Sequence, residues 1–434
     1  MVKKMNSFLF DVSIFIDIGI VFHILQFLPT IGIKFLISFK TGKRKLTLTF
    51  KGRPLFSEEE NQKGLTDHSL YIVVLIPAWN EQDTVAKSVT SILTQTRKPD
   101  KVLVVPNNTT DLTAVAAMAA GAQVLVMPGK NTKKKAGALN YALDQLSAEL
   151  DSHKHSAVIV MDADTTVDSD FVERAENKMG RNKYVGGVSS IFVGRNSHNI
   201  LGTLQQMEFA RFRRLVKERI EVYVLSGTAS LISWNALKKV KEARIIGKQL
   251  PKGDSYYDVD SMTEDNELTL ALLALGYTIP HVGIESITDV MEDFKSLYNQ
   301  RKRWYMGALQ NIKMYGLKMP VWMRFIYWFQ QIGLYMALAI TPIILFAFIT
   351  YIIRTIMITG TLTSLFTLNT IIALILFYAY IFVQVITVWD QGWMARLLAF
   401  FYIPDLVYGI FLLIFYAGAL WTFITNKELS WIQT

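Results

Sequence analysis

The stretch Ala157-Val158-Ile159-Val160-Met161-Asp162-Ala163-Asp164 decides the fold: five apolar residues in a row run straight into two carboxylates one residue apart. A short continuous apolar run closed by polar residues is the pattern of a strand buried on both faces. Two earlier stretches repeat it. Tyr71-Ile72-Val73-Val74-Leu75-Ile76 stops at Pro77 and leads to Asn80-Glu81, and Lys101-Val102-Leu103-Val104-Val105 leads to Asn107 through Asp111. The segments between them, Asp83 to Thr94, Asp111 to Ala120 and Ala136 to Leu150, read as amphipathic helices. This alternation predicts an α/β domain with a mainly parallel sheet between about Ser69 and Tyr315. In such a sheet ligands sit beyond the carboxyl ends of the strands, and all three predicted strands deliver polar residues to that edge.

The chain has 434 residues, 51% hydrophobic and 19% charged, too apolar and too long for one small soluble domain. The apolar excess sits at its two ends. Phe8 to Phe39 also holds Asp11, Asp17, His23, Pro29 and Lys34, so it predicts one spanning helix at most, with an interfacial remainder. Its acids and the lack of a small-residue cleavage site argue against a cleaved signal peptide. Ile332 to Ile353, Phe366 to Val388 and Leu397 to Phe423 are each long enough to cross about 30 Å of hydrocarbon. Met319 to Gln331, with Trp322, Arg324, Tyr327 and Trp328, reads as a helix lying at the interface.

The net charge of +9 is concentrated in two runs, Lys40, Lys43, Arg44, Lys45, Lys51 and Arg53, then Lys130, Lys133, Lys134 and Lys135. Neither is interleaved with aromatics, which argues against nucleic-acid binding. The first fits a cytoplasmic flank, placing the middle of the chain in the cytoplasm, and the second a phosphate-facing loop. Because the chain has no cysteine, a bound metal needs oxygen or imidazole ligands, which favours a hard cation such as Mg2+ or Mn2+. The expected division is 1–68, a membrane helix and basic linker; 69–315, the α/β domain; and 316–434, an interfacial helix and about three spanning helices.

Three stretches carry chemistry. Asp162 and Asp164 leave a strand on alternate positions and repel each other unless a cation lies between or beside them; a solvated turn or helix cap is the plainer reading of that pair alone. Thr263-Glu264-Asp265 precedes an amphipathic helix, where it reads as a capped N-terminus with acids favoured by the dipole. A carboxylate held there is also well placed to take a proton from an attacking hydroxyl, a role assigned to Asp265. In Gln300-Arg301-Lys302-Arg303-Trp304, helical spacing puts Gln300, Arg303 and Trp304 on one face. Trp can stack on a sugar ring, Gln can bond its hydroxyls and Arg can pair with phosphate, while a basic interfacial helix with a Trp anchor is the structural alternative.

In this order, these motifs resemble the membrane-embedded family 2 glycosyltransferases, such as hyaluronan, chitin, cellulose and poly-N-acetylglucosamine synthases, over about Ile72 to Tyr315. The resemblance implies a GT-A-type nucleotide-sugar-binding domain with a mainly parallel sheet, inserted between N-terminal and C-terminal transmembrane helices. Pro77-Ala78-Trp79-Asn80-Glu81 is similar to the family's opening loop, which implies nucleotide contacts from Pro77, Ala78, Asn80 and Glu81. Lys135-Ala136-Gly137-Ala138-Leu139-Asn140 resembles the family's Lys-x-Gly-Ala-Leu-Asn, with Lys135 approaching the donor. By the same resemblance Asp162 and Asp164 bind UDP and Mn2+ or Mg2+, Asp265 is the base, and Arg303 meets the diphosphate. The acceptor falls to Glu264, Gln300, Trp304 and the looser match Ser226-Gly227-Thr228. One departure concerns the base-reading position after the second strand, where the family has Asp and this chain has Asn107; Asp111 matches the later Asp.

The implied reaction is inverting transfer from a UDP-sugar, N-acetylglucosamine favoured, to the end of a growing β-linked polysaccharide or lipid-linked acceptor. The catalytic domain would be cytoplasmic on an integral protein of the plasma (inner) membrane, in contact with the lipid bilayer. Some four spanning helices are few for a polymer path, so a second subunit or a homo-oligomer is a possible partner. Two alternatives stand beside this: a non-processive enzyme adding one sugar to a lipid, wall polymer or protein, and a non-catalytic assembly protein, against which the retained carboxylates argue.

Overall fold

The computed structural model describes residues 70–425, apart from 181, 196, 198, 218–221, 223, 317, 318, 320 and 361–367. The expected helix within Phe8 to Phe39, the basic flank Lys40 to Arg53 and the rest of 1–68 therefore lie outside the described residues. Eight strands, β1 (Tyr71–Ala78), β2 (Lys101–Pro106), β3 (Gln123–Val124), β4 (Ser156–Met161), β5 (Thr166–Val167), β6 (Gly187–Gly194), β7 (Ala229–Ser233) and β8 (His281–Thr288), form one sheet in the order β3-β2-β1-β4-β7-β6-β8-β5.

The three apolar runs are the central strands β1, β2 and β4. Their alternate residues split cleanly between two cores: Val73, Leu75, Leu103, Val158 and Val160 face one side, and Ile72, Val74, Val104, Ile159 and Met161 the other. Each such side chain, taken from water to full burial, contributes about 1.5–3 kcal/mol. The first core is closed by helices α3 (Lys134–Ser152) and α6 (Trp234–Ile246), the second by α1 (Val85–Leu93) and α4 (Phe171–Gly180). Strands β3, β2, β1 and β4 are parallel, as their connecting helices require. The expected mainly parallel sheet is found, with reversals: β7 runs antiparallel to both β4 and β6, and the short β5 antiparallel to β8.

Helix α5 (Ile200–Lys217) follows β6, helix α7 (Glu264–Ala274) follows Thr263, and helix α8 (Phe294–Tyr315) carries Gln300 to Trp304. A buried ion pair ties them to α6. Arg244 Nη2 lies 2.5 Å from Glu267 Oε2, and the Tyr315 hydroxyl donates to Glu267 Oε1 at 2.6 Å. The segment expected to be a separate interfacial helix, Met319 to Gln331, is largely the beginning of one 39-residue helix, α9 (Val321–Thr359), which also contains the expected span Ile332 to Ile353. No proline or glycine between Val321 and Gln331 interrupts it, and Pro342 lies inside it.

Helix α10 (Leu368–Thr387) falls within the second expected span. The third is two helices, α11 (Trp393–Phe401) and α12 (Ile403–Ile424), separated at Tyr402, whose φ is 59°. Pro404 supplies the reason, since proline belongs in the first turn of a helix and breaks an interior. Among the described residues, α12 is the one helix long and apolar enough to cross a membrane; Ile349–Ile358 and Phe377–Thr387 are shorter apolar stretches. By internal contacts the described chain forms two compact units, Leu70–Tyr327 with Gln384–Thr425, and Trp328–Val383.

Candidate active site

Strand direction gathers the site. Strands β1, β2, β4, β6 and β8 point the same way, so Asn80-Glu81, Asn107, Asp162 to Asp164, Arg195 and Asp289 all emerge at one edge. Because β7 runs the opposite way, its entry, Ser226-Gly227-Thr228, reaches that same edge: Asp162 N–H donates to Thr228 O at 3.0 Å. Helix α3 places Lys134 and Lys135 there as well, and α7 places Glu264 and Asp265. Both helices point their N-termini, the positive ends of their dipoles, at the site.

The two aspartates of the β4 exit differ in environment. Lys135 Nζ sits 2.5 Å from Asp162 Oδ1 and 3.3 Å from Glu264 Oε1, and also donates to Gly227 O at 3.3 Å. Among the described residues, no such cation pairs with the carboxylate of Asp164. It accepts from Thr165 Oγ1 at 3.1 Å, and burial, reinforced by the carboxylates of Asp162 and Glu81, pushes its carboxyl up to about 7. Glu81 is raised for the same reasons, burial first and then Asp162. No group of three His, Cys, Asp or Glu side chains among the described residues is arranged to hold a metal by itself.

A cationic pocket lies alongside, lined by Lys134, Lys135, Glu264 and Arg303. Burial and then the Arg303 guanidinium push the Lys134 ammonium below its ordinary range, as expected of two like charges facing one cavity. The Nε–H of Arg303 is buried without a hydrogen-bond partner among the described residues. Glu264, despite its burial, is held low by Lys135 and Arg303. Asp265 is raised to about 6, by burial first and by Glu264 second, against Lys135, the Asn266 N–H and Arg303. The two carboxyls of this acidic pair thus diverge, Asp265 raised and Glu264 held low.

Asp265 is held at one oxygen and closely flanked at the other. Its Oδ1 accepts from Asn266 N–H at 2.7 Å, and its Oδ2 faces Gly227, where an added Cβ would stand 2.6 Å away. Gly227→Ala is therefore expected to push the carboxylate aside and lower transfer about tenfold, with little change in melting temperature. Steady-state rates and thermal melts of the variant check this. Thr263 does not cap α7 with its side chain, contrary to the expectation from sequence. Its hydroxyl instead accepts from Asn311 Nδ2 at 3.3 Å and lies against Gly307, where no Cβ fits, so α8 packs directly on the Thr-Glu-Asp turn.

Other predicted residues are accounted for by bonds within the fold. Asn107 donates to Ala78 O at 3.2 Å and accepts from Asn131 Nδ2 at 3.1 Å, which ties the first two strand ends to the loop before α3. Asp111 accepts from Thr113 N–H and Gln82 N–H, fixing the entry of α2 (Thr113–Ala119) beside Glu81. The Ser226 and Thr228 hydroxyls bond each other at 2.5 Å, and Thr228 continues to Ser286 at 2.7 Å. Pro77 and Ala78 are the last residues of β1, and Asn80 turns the chain at φ 52° while accepting from Thr110 N–H at 2.8 Å. Gln300 is buried, its Oε1 unpartnered among the described residues, whereas Trp304 lies beneath the Arg301 guanidinium at 4.2 Å.

Arg195 and Asp289 also reach this edge without having been expected there, whereas Lys134 belongs to the basic run expected to face phosphate. Arg195 bonds Asp289 at 2.5 Å and Asp164 O at 3.1 Å. The strand-end rule would have found Arg195 and Asp289 had β6 and β8 been recognised, but neither has the apolar run that marks β1, β2 and β4.

Residues 157–387, more than half of the chain, match the model of glycosyl transferase family group 2. The chain belongs to that family, and it is a glycosyltransferase. It is 24% identical over 240 residues to the poly-β-1,6-N-acetyl-D-glucosamine synthase of Staphylococcus aureus, covering 55% of this chain and 54% of that protein. Against the Staphylococcus epidermidis synthase it is 25% identical over 244 residues, with the same coverage. The chain thus spans about half the length of the curated relatives it matches. In structure it is similar to a mannosyltransferase from Pyrobaculum calidifontis solved with GDP-Man and Mn2+, with a TM-score of 0.53 and 16% identity over 84% of this chain and 91% of that one. The fold is GT-A-like.

Proposed function

We propose that the protein is an inverting, cation-dependent transferase that moves N-acetylglucosamine from its UDP conjugate to the growing end of a β-linked polysaccharide at a membrane. The observation that carries this is the meeting, at one sheet edge, of an uncompensated carboxylate at Asp164, a cationic pocket at Lys134, Lys135 and Arg303, and a raised carboxylate at Asp265. The acceptor hydroxyl attacks the anomeric carbon, its proton passes to Asp265 Oδ2, and the bond from that carbon to the diphosphate oxygen breaks. Arg303 and the lysines hold the departing UDP. The raised carboxyl of Asp164 fits a hard cation: Mg2+ or Mn2+ is commonly held by one or two carboxylates with substrate phosphates completing its shell, so Asp162 and Asp164 would suffice. Such an ion would neutralise charge on the diphosphate.

The polymer-synthase relatives support N-acetylglucosamine and chain elongation. Helix α12 supports a membrane location; so does α11, which exposes Trp393, Leu397, Phe400 and Phe401 while burying Ala395, Leu398 and Ala399. The cytoplasmic side rests on the basic run from Lys40 to Arg53. The test offers full-length protein in detergent labelled UDP-N-acetylglucosamine, UDP-glucose, UDP-glucuronate and GDP-mannose with Mn2+. Long polymer from UDP-N-acetylglucosamine is expected. A single-sugar adduct would replace elongation with single transfer, and product from GDP-mannose alone would overturn the donor assignment.

A further inference from the structure

The geometry points to Tyr327, 61 residues beyond its partner, as the positioning residue for the base: its hydroxyl donates to Asn266 Oδ1 at 2.8 Å, and Asn266 in turn donates its backbone N–H to Asp265 Oδ1 at 2.7 Å. This rests on the reading of Asp265 as the base. Asp265 and Asn266 lie in the first turn of α7, where backbone N–H groups have no intrahelical acceptor and helices fray. Thr263, the residue that would ordinarily cap this turn, makes no side-chain cap. Side chains from elsewhere hold it instead: Asn311 at Thr263, Arg244 and Tyr315 at Glu267, and Tyr327, from α9, at Asn266 beside the base.

Tyr327 is suited to the task. It is 4% exposed and belongs to the same core as Tyr315, so its ring has little freedom, and its hydroxyl donates to an amide oxygen rather than to a charge. Burial, then the Asp265 carboxylate, raise its phenol well above the ordinary range, so it remains a donor throughout the working pH range. The bond leaves Asp265 Oδ2 free to face Gly227 while Oδ1 is fixed. Besides Glu264 on the same helix, the charged or titratable groups facing Asp265 are Lys135 on α3, Arg303 on α8, Tyr257 and Tyr327. Tyr257 is held by Asn140, whose Oδ1 accepts from its N–H at 2.9 Å, so Tyr327 is the contact set by the long helix. Beyond Tyr327 that helix runs on to Thr359.

The test uses the full chain with UDP-N-acetylglucosamine and Mn2+, and compares Tyr327→Phe, Asn266→Ala, the double variant, Tyr315→Phe and Asp265→Asn. Tyr327→Phe keeps the ring and removes the one bond. It is expected to lower kcat about three- to tenfold with donor KM unchanged, the range of one neutral hydrogen bond. The acidic limb of its pH profile should move upward, because a loosened Asn266 N–H no longer favours the ionised base. Asn266→Ala should do the same, and the double variant should be no worse than either single change. Tyr315→Phe, which loses a bond to Glu267 in the same helix, should melt lower without moving the limb. An unmoved limb in both Tyr327→Phe and Asn266→Ala, or an equal shift in Tyr315→Phe, overturns the assignment. Full activity in Asp265→Asn overturns instead the reading of the base.

Discussion

Asp265→Asn is expected to cut kcat by about 10²–10⁴-fold, the usual contribution of a positioned general base, while UDP-N-acetylglucosamine still binds. The amide matches the carboxylate in size and can still accept from Asn266 N–H, so the turn and the contact with Gly227 survive. What is lost is the ability to take a proton. Because Asp265 is raised to about 6, the parent enzyme should gain rate as pH rises through that value and level off above it, as the base becomes fully ionised. The residual rate of the variant should lack this limb. Retained pH dependence near 6 with near-normal kcat would remove Asp265 from the mechanism and turn attention to Glu264, which Lys135 and Arg303 already hold ionised.

The second large effect is on cation dependence. Lys135 already offsets the charge of Asp162, whereas Asp164 is half-buried among carboxylates and its carboxyl stands at about 7. A cation must displace that proton, so apparent Mn2+ affinity should fall about tenfold per pH unit below 7 and become nearly flat above it. Asp164→Asn should abolish the pH dependence of binding and lower Mn2+-supported turnover on the order of 10²–10³-fold, several kcal/mol of charge stabilisation. Calorimetric titration of Mn2+ with UDP at pH 6 and pH 8 reads the first effect, and turnover at saturating donor the second. Equal affinity at the two pH values in the parent protein would show that Asp164 does not meet the ion.

The gap between these two carboxyls illustrates what one dimension can carry. Spacing is enough to recognise Asp162 and Asp164 as a pair leaving a strand, but their unequal charge comes from Lys135, at the head of a different helix. Likewise Thr263-Glu264-Asp265 is legible as a helix entry with acids in its first turn, yet Thr263 is drawn away to Asn311 and the cap it was expected to make does not form.

Local order is what contiguous residues dictate. The apolar runs of β1, β2 and β4, the helices between them and the polar strand exits could be read directly, because burial on two faces and helical spacing are repeats of a few residues. Strands β6, β7 and β8 lack such a run and take their place through pairing; their direction is a property of the assembled sheet, and it brings Ser226 to Thr228, Arg195 and Asp289 to the edge already marked by Asp162. The contact of Asp265 with Gly227 and the bond from Tyr327 to Asn266 join segments with no shared periodicity. Only packing decides them, since the chain must close before either neighbour exists, and on them depends which oxygen of Asp265 is fixed and which is left open.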